Sequence, residues 1–429
     1  MLSSSAPPKL VPELLRQGPT WTGLAAFLVP GVALWLPSGY SWGALLLLVV
    51  SLVSVRSWWG RPWAVQTRWL AASFAGLACI WLLDADAAQG LRSLDRPAKY
   101  GLALFCMGCL MAWPPRAAVL AWGLALGAAG SGLLALAQTD LGSAQRATGF
   151  TNAIQYGNLS LLLGWMCGLW LAILGSRLPR WQWGLWLGAM LLGGLGSLLS
   201  QSRGGWLALG LSLPLWAWLL ARWRSPRLLA VLGVCMALSL VLAAASHGRE
   251  IHQRMQEAFT ESSSYWDRND AQSSVGQRLD HWRLAWSMGL ERPWWGWGQE
   301  GYRQEKRRRV EQGLAQPIVL QYEHAHNEAL DLFAKRGVVG VLALLFFYAV
   351  PWVLFWPTPR SLGRAPCSPA GDRAQRERLA LHLMGLSMPV LYLGFGLTQA
   401  FLAHNSGNMF YLFMVMLLYS ALQARQPGS

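Results

Sequence analysis

The sequence predicts an all-α polytopic membrane protein of about twelve transmembrane helices with one long polar loop. Three observations predict it. The chain is 54% hydrophobic and only 13% charged, roughly half the charge of an ordinary soluble domain. Apolar stretches of about 17–23 residues recur from end to end, the length that crosses a hydrocarbon core about 30 Å thick. The short segments of alternating polarity that mark a transmembrane barrel do not occur.

The spans fall near 20–37, 41–55, 67–83, 98–113, 116–138, 154–175, 182–200, 204–221 and 227–246, then near 338–357, 379–400 and 407–424. The chain thus divides into 1–246, a tail and nine spans; 247–325, a polar loop with amphipathic interfacial helices; and 326–429, an interfacial helix start and three spans. The opening "MLSSSAPPKLVPELLRQGPT" lacks the basic, apolar and small-residue order of a cleavable signal and reads as a cytosolic tail.

Sidedness follows from the short loops. One set carries Arg56, Arg61, Arg116, Arg180, Arg222 and Arg376, among others. The other carries few basic residues, chiefly Arg92, Arg96, Lys99, Arg146 and Arg203, with Asp84, Asp86 and Asp95 beside the first three. The positive-inside bias puts both termini in the cytosol and the 247–325 loop outside, which in a bacterium is the periplasm. The net charge of +15 therefore reflects topology, and no basic fold signature points to nucleic acid. None of the six cysteines lies in the long loop, so no disulfide framework is implied. "CMGC" at 106–109 has the spacing of a redox pair but sits in an apolar helix, where it reads as small residues at a helix contact.

Arg146, in "SAQRATGFTN", and Arg203, in "LSQSRGGW", lie on the side the bias disfavours. An ionisable group there is a functional candidate; the alternative is snorkelling to headgroups. In the loop, "VGQRLDHWRLAWSMGL" sets Leu279, Trp282, Trp286 and Leu290 on about one helical face, an amphipathic helix at the interface with Arg278 in its first turn. "ERPWWGWGQEGYR" supplies a Trp-dense turn suited to the headgroup layer. Its G-x-G-x-x-G, Gly296, Gly298 and Gly301, has no preceding strand and is no dinucleotide site. "KRRR", from Lys306 to Arg309, would attract phosphorylated headgroups or form a solvated helix face.

"YEHAHNEALDLFAKRGVVG" places His324 and His326 at the outer boundary of the tenth span, followed by a helix with Leu330, Phe333 and Ala334 on one face. Three roles are open to the pair: metal ligands with Glu323 or Glu328, structural hydrogen bonding, or, for His326 above all, a general base or polar substrate contact. Arginines and a histidine flush with the headgroups suit a lipid pyrophosphate, since a guanidinium grips phosphate oxygens with two parallel bonds. A pyrophosphate leaves readily once its charge is stabilised, so such a site needs mainly to activate a hydroxyl and hold the reactants in line.

"HNEALDLFAKRGVVG", "SQSRGGWLAL", "RATGFTNAIQYGNLSLLLG" and "QRLDHWRLAWSMGLERPWWGWGQEGYR" together resemble the recurring segments of bacterial O-antigen ligases of the WaaL type, in the family's order, over residues 146–340. The resemblance implies a glycosyltransferase of GT-C architecture in the inner membrane, acting at its periplasmic face without cofactor, metal or nucleotide. It would move a glycan from undecaprenyl pyrophosphate to a hydroxyl of lipid A core, with inversion if an α-linked donor is attacked in line. No obligate protein partner is implied. By motif, His326 takes the role of base, and Arg203 and Arg278 bind the pyrophosphate. Weaker candidates are His324, Arg146, Asn152, Asn327, Lys306 and His404. O-antigen polymerases, whose acceptor is a second lipid-linked glycan, share the architecture; protein O-oligosaccharyltransferases rank third, being usually longer. A non-enzymatic transporter would favour ionisable groups near mid-bilayer and interrupted spans, whereas here they cluster at one rim.

Overall fold

A computed structural model describes residues 18–85, 87–139, 145–222, 273–362 and 368–424. The expected tail before residue 18, the span at 227–246, the loop up to 272, and Asp86, Cys235 and Cys367 lie outside the described residues.

Helices and turns account for the described residues, with no strand among them. The first eight long helices are α1 (Gly18–Gly31), α2 (Gly39–Val53), α3 (Val65–Leu82), α4 (Asp95–Ala112), α5 (Ala117–Gln138), α6 (Ala153–Leu174), α7 (Arg180–Leu199) and α8 (Arg203–Arg222). Loop helices α9 (Ser274–Glu291) and α10 (Gly298–Glu311) follow, then α11 (Glu328–Phe355), α12 (Pro369–Gly396) and α13 (Asn405–Gln423). Eleven of the twelve expected spans lie on these helices. Five helices are long and apolar enough to cross a membrane: Ala117–Gln138, Ala153–Arg177, Arg180–Leu199, Glu328–Phe355 and Gly371–Gly396.

The burial pattern is that of a bundle solvated by lipid. α6 and α13 are buried along almost their whole length, and α6 packs against α5, α7 and α12. The peripheral helices are apolar on the outside too. Trp42, Leu45, Val49 and Leu52 of α2 recur at helical spacing and are all exposed, as are Leu207, Leu211 and Trp218 of α8. Water would penalise so much contiguous apolar surface, whereas hydrocarbon does not. This is a multi-pass membrane protein.

"CMGC" behaves as a contact of small residues. Cys106 and Cys109 are buried free thiols, and a Cβ at Gly108 would lie 2.5 Å from the Trp58 ring.

A second layer caps one end of the bundle. Leu284, Ala285, Met288, Tyr302, Val319, Ala325 and Ala334 form a small core of their own, joining α9, α10 and the short 3-10 helix Pro317–Gln321 to the start of α11. This layer docks on a break in α11. At Gly337 the backbone turns to φ 59° and ψ −156°, and a Cβ there would meet the Pro293 carbonyl at 2.4 Å. The Val338 N–H donates to Pro293 O at 2.7 Å, and the Trp297 N–H to Ala334 O at 3.0 Å. Gly296 also has a positive φ, and its absent Cβ would strike Lys335. The G-x-G-x-x-G stretch is therefore a docking turn. Asp84, just past α3, fastens the arrangement by accepting from Arg336 and, at 3.0 Å, from the Gln299 N–H.

The outer face of this layer is apolar as well: Trp286 and Leu290 are 52% and 56% exposed, Trp294 and Trp295 67% and 65%. Trp286 and Leu290 belong to the stripe expected from sequence. The inward face of the same helix carries His281, Leu284, Ala285 and Met288.

Candidate active site

The site is assembled at the capped end from helix termini. In "SQSRGG", Gln201 takes φ 55°, and Ser202 donates its hydroxyl to Asn158 Oδ1 at 3.0 Å, seating the start of α8 on α6. A Cβ at Gly204 would lie 2.4 Å from Thr398 Oγ1, so glycine lets α8 close on the end of α12. Arg203, the first residue of α8, is left exposed. Arg146 joins the same turn, donating from Nε to Ser200 O at 3.0 Å. Arg278 lies in the first turn of α9, which Ser273 caps by accepting from the Gly276 N–H at 3.0 Å.

Electrostatics brings the three together. Burial, then the charges of Arg203 and Arg146, lower the Arg278 guanidinium from its usual range. No ion pair among the described residues involves Arg203 or Arg278. Two like charges that neighbour each other and pair with no carboxylate among the described residues, Arg203 and Arg278, favour an anion between them.

His326 stands beside this cluster in an unusual backbone state, φ 52°, which costs a non-glycine residue about 1–2 kcal/mol. The neighbouring chain holds it there. Asn327 caps α11, its Oδ1 accepting from the Leu330 N–H at 3.0 Å and its Nδ2 donating to Leu397 O at 3.3 Å. Asp331 accepts from the Ala325 N–H at 2.9 Å and pairs with Lys335 at 2.8 Å, while Lys335 also donates to Glu323 O at 2.8 Å. Lys306 donates to Val319 O at 2.7 Å and Tyr322 O at 2.5 Å.

The ring so placed is buried, with Nδ1 2.8 Å from Gln399 Oε1. A carbonyl oxygen only accepts, so Nδ1 carries the hydrogen and the neutral ring keeps its lone pair on Nε2. Nε2 is buried without a hydrogen-bond partner. Burial lowers the ring's pKa from 6.5; the Gln399 bond opposes this, the Arg278 charge adds to it, and Asp331 and Lys306 act in opposite senses. At neutral pH, His326 is an unprotonated base with its free nitrogen unclaimed.

A chain of polar groups continues behind it. Gln399 Nε2 donates to His404 Nε2 at 3.0 Å, and His404 Nδ1 lies 3.5 Å from Asn152 Nδ2. Asn152 caps α6, accepting from the Gln155 N–H at 2.9 Å. His324 packs edge-on to His326 with ring centroids 4.5 Å apart, and burial, then the His326 charge, depress its pKa to about 3.

The other expectations divide. Glu323 pairs with Arg303 at 3.2 Å, and Glu328 accepts from the Leu402 N–H at 2.8 Å. Among the described residues no three His, Cys, Asp or Glu side chains gather as a metal site. Asn327 and Asn152 spend their oxygens on helix caps, and Lys306 spends its ammonium on the 319–322 segment, 3% exposed. "KRRR" is not a common phosphate-attracting face, because Arg308 and Arg309 are paired with Glu305 at 2.7 Å and Arg309 also with Glu291 at 2.6 Å.

Three neighbours of the base escaped the sequence reading. Gln399, which fixes its tautomer, ends an apolar helix and carries no motif. Tyr322 packs edge-on at 4.5 Å. His281 is fully buried with both ring nitrogens unpartnered, its ring 5.3 Å from that of His326. The signal for His281 was present: it lies three residues after Arg278, on the same helical face.

The chain is 24% identical over 388 residues, 90% of its own length and 94% of the relative's, to an uncharacterized protein of Haemophilus influenzae. Residues 188–345 match the sequence model of a family described as O-Antigen ligase. That segment runs from α7 through the arginine turn and the capping layer to His326 and α11. Over that segment the chain is similar to the O-antigen ligase family.

Proposed function

We propose that the protein is an O-antigen ligase of the inner membrane. It transfers a glycan from undecaprenyl pyrophosphate to a hydroxyl of lipid A core at the periplasmic rim of a twelve-span, GT-C-type bundle. The observation that carries this reading is that Arg278 stands within reach of the charges of Arg203 and Arg146 and of His326, whose buried Nε2 is unclaimed.

The chemistry uses these groups directly. His326 Nε2 takes the proton of the acceptor hydroxyl as its oxygen attacks the anomeric carbon of the donor. The new C–O bond forms as the bond from that carbon to the pyrophosphate oxygen breaks. Arg203 and Arg278 hold the departing lipid pyrophosphate, which takes the electron pair of the broken bond and gains one negative charge, with forked bonds, supported by Arg146. Donors fixed in advance where charge develops act most strongly in a site screened from water. Gln399 keeps the His326 tautomer correct. In-line attack on an α-linked donor gives a β-linked product.

Reconstitution in proteoliposomes with a lipid-pyrophosphate glycan and lipid A core tests this. Glycan-bearing lipid A core is the expected product. Extension of a second lipid-linked glycan, with lipid A core left bare, would make the protein a polymerase. Translocation without any new glycosidic bond would make it a transporter.

A further inference from the structure

Beside the base, but apart from the arginine cluster, lies a cavity of about 260 Å³ between α10 and the 320–323 segment. It is smaller than the roughly 300–1,000 Å³ of pockets that enclose drug-sized ligands, and has the scale of one substituted sugar ring. Arg303, Lys306 and Arg307 line it with one carboxylate, Glu323, and Arg303 also pairs with Glu300 at 3.1 Å. Glu323 is 68% exposed and reaches only Arg303 Nη2. Arg307 is exposed and forms no ion pair with another described residue.

Two polar groups in the wall lack partners. Tyr302 is 1% exposed, yet its hydroxyl makes no hydrogen bond, and Arg303 Nε is likewise buried and unbonded. An unbonded buried hydroxyl or guanidinium nitrogen costs about 1–3 kcal/mol, a penalty that a ligand with acceptor oxygens removes. The far wall is Tyr322, whose ring stands 4.5 Å from that of His326. A ligand here is one aromatic ring away from the base, and it uses none of Arg146, Arg203 or Arg278.

We propose that this cavity is the acceptor's anionic subsite, taking a phosphorylated sugar of the acceptor glycolipid and setting a neighbouring hydroxyl toward His326 Nε2. Arg303 and Arg307 supply the phosphate contacts, while Tyr302, Tyr322 and Gln299 offer the aromatic and amide surfaces that sugars use. Assignment to the acceptor rests on the transfer reaction proposed above; binding of an anionic sugar does not.

The test begins with binding of glucose 6-phosphate to the full chain in detergent, with glucose and inorganic phosphate as comparisons. Glucose 6-phosphate should bind best. Arg303→Gln with Arg307→Gln should weaken it by about ten-fold or more, the worth of one or two charge-assisted hydrogen bonds. Tyr302→Phe, which leaves every ion pair intact, should weaken it several-fold, and Arg203→Gln should leave it unchanged. Binding that ignores Arg303, Arg307 and Tyr302, or that vanishes with Arg203→Gln, overturns the site.

In the transfer assay, Arg307→Gln and Tyr302→Phe should raise KM for the acceptor while donor KM and kcat hold. Dephosphorylated acceptor should give the unaltered protein the variants' KM. A rise in donor KM instead, or no rise at all, overturns the acceptor assignment. Glucose 6-phosphate binding through these residues without any transfer would sink the transferase reading and its acceptor, but not the anionic-sugar site. Normal transfer without such binding would do the reverse.

Discussion

Two basic regions of this molecule face opposite fates. Lys306 to Arg309 form the densest run of positive charge in the chain, yet Arg308 and Arg309 are neutralised by Glu305 and Glu291, and Lys306 is buried against carbonyl oxygens. Arg146, Arg203 and Arg278 are single residues scattered over more than a hundred positions; their charges reach one another, and among the described residues no carboxylate pairs with Arg203 or Arg278. The first region uses charge to tie a helix to its neighbours. The second leaves Arg203 and Arg278 without an ion pair among the described residues and so favours an anion. Charge density along a sequence is thus a poor guide to anion binding; the absence of counter-charge in space is a better one.

The sharpest way to break this contrast is at the base that the second region serves. His326→Ala should reduce transfer by about 10²–10⁴-fold, the range for a lost general base, with thermal stability and membrane insertion retained. Full transfer by the purified variant would remove His326 from the chemistry. Next in size, Arg203→Lys and Arg278→Lys should each lower kcat/KM by roughly 10–100-fold, since a point charge does not replace a planar fork. Arg308→Lys, on the neutralised run, should stay within about two-fold, because lysine keeps the charge beside Glu305 and Arg309 still pairs with that carboxylate. Equal losses in both regions would erase the distinction between them.

Legibility in the sequence tracks the same division between local pattern and spatial company. The spans could be read because hydrocarbon imposes one length and one polarity on each helix, and eleven fall where helices occur. Arg203 and Arg146 stood out because topology made arginine anomalous on their side. Gln399 could not be found that way. It lies 73 residues from His326 in sequence, and its importance arises only when the end of α12 meets the start of α11. The pairing of "KRRR" was equally hidden, since Glu291 comes from a different helix, although Glu305 sits one turn from Arg308 and Arg309 and a helical reading of charges would have exposed it. The helix break at Gly337 could not be read at all, because sequence spacing does not report the sign of φ.

Proton affinity gives a finer measure of the arginine cluster. Burial and the Arg278 charge hold the His326 pKa below 6.5. Activity that needs the neutral ring is therefore present at pH 7 and lost only as pH falls through this lowered value. The acid limb of kcat/KM should lie below pH 6.5. Removing the cation with Arg278→Gln should move that limb upward, whereas Gln399→Leu, which deletes a bond that raises the pKa, should move it downward. An acid limb indifferent to Arg278→Gln would separate the cluster from the base.

The smallest effect is expected where charge only supports structure. Arg309→Met removes a guanidinium that bonds Glu305, Glu291 and the Ser287 hydroxyl. Glu305 keeps Arg308, and Glu291 is half exposed to solvent, so neither carboxylate is stranded. The loss should be about 1–2 kcal/mol, the worth of a few partly compensated hydrogen bonds, read as a lowered Tm of the detergent-solubilised protein. Transfer per folded molecule should not change, since α9 is also held to α11 through Gly289 and Phe333. Lost transfer in a normally folded Arg309→Met variant would show that the neutralised arginines, and not Arg307 alone, take part in binding, and the contrast between the two regions would then be one of degree.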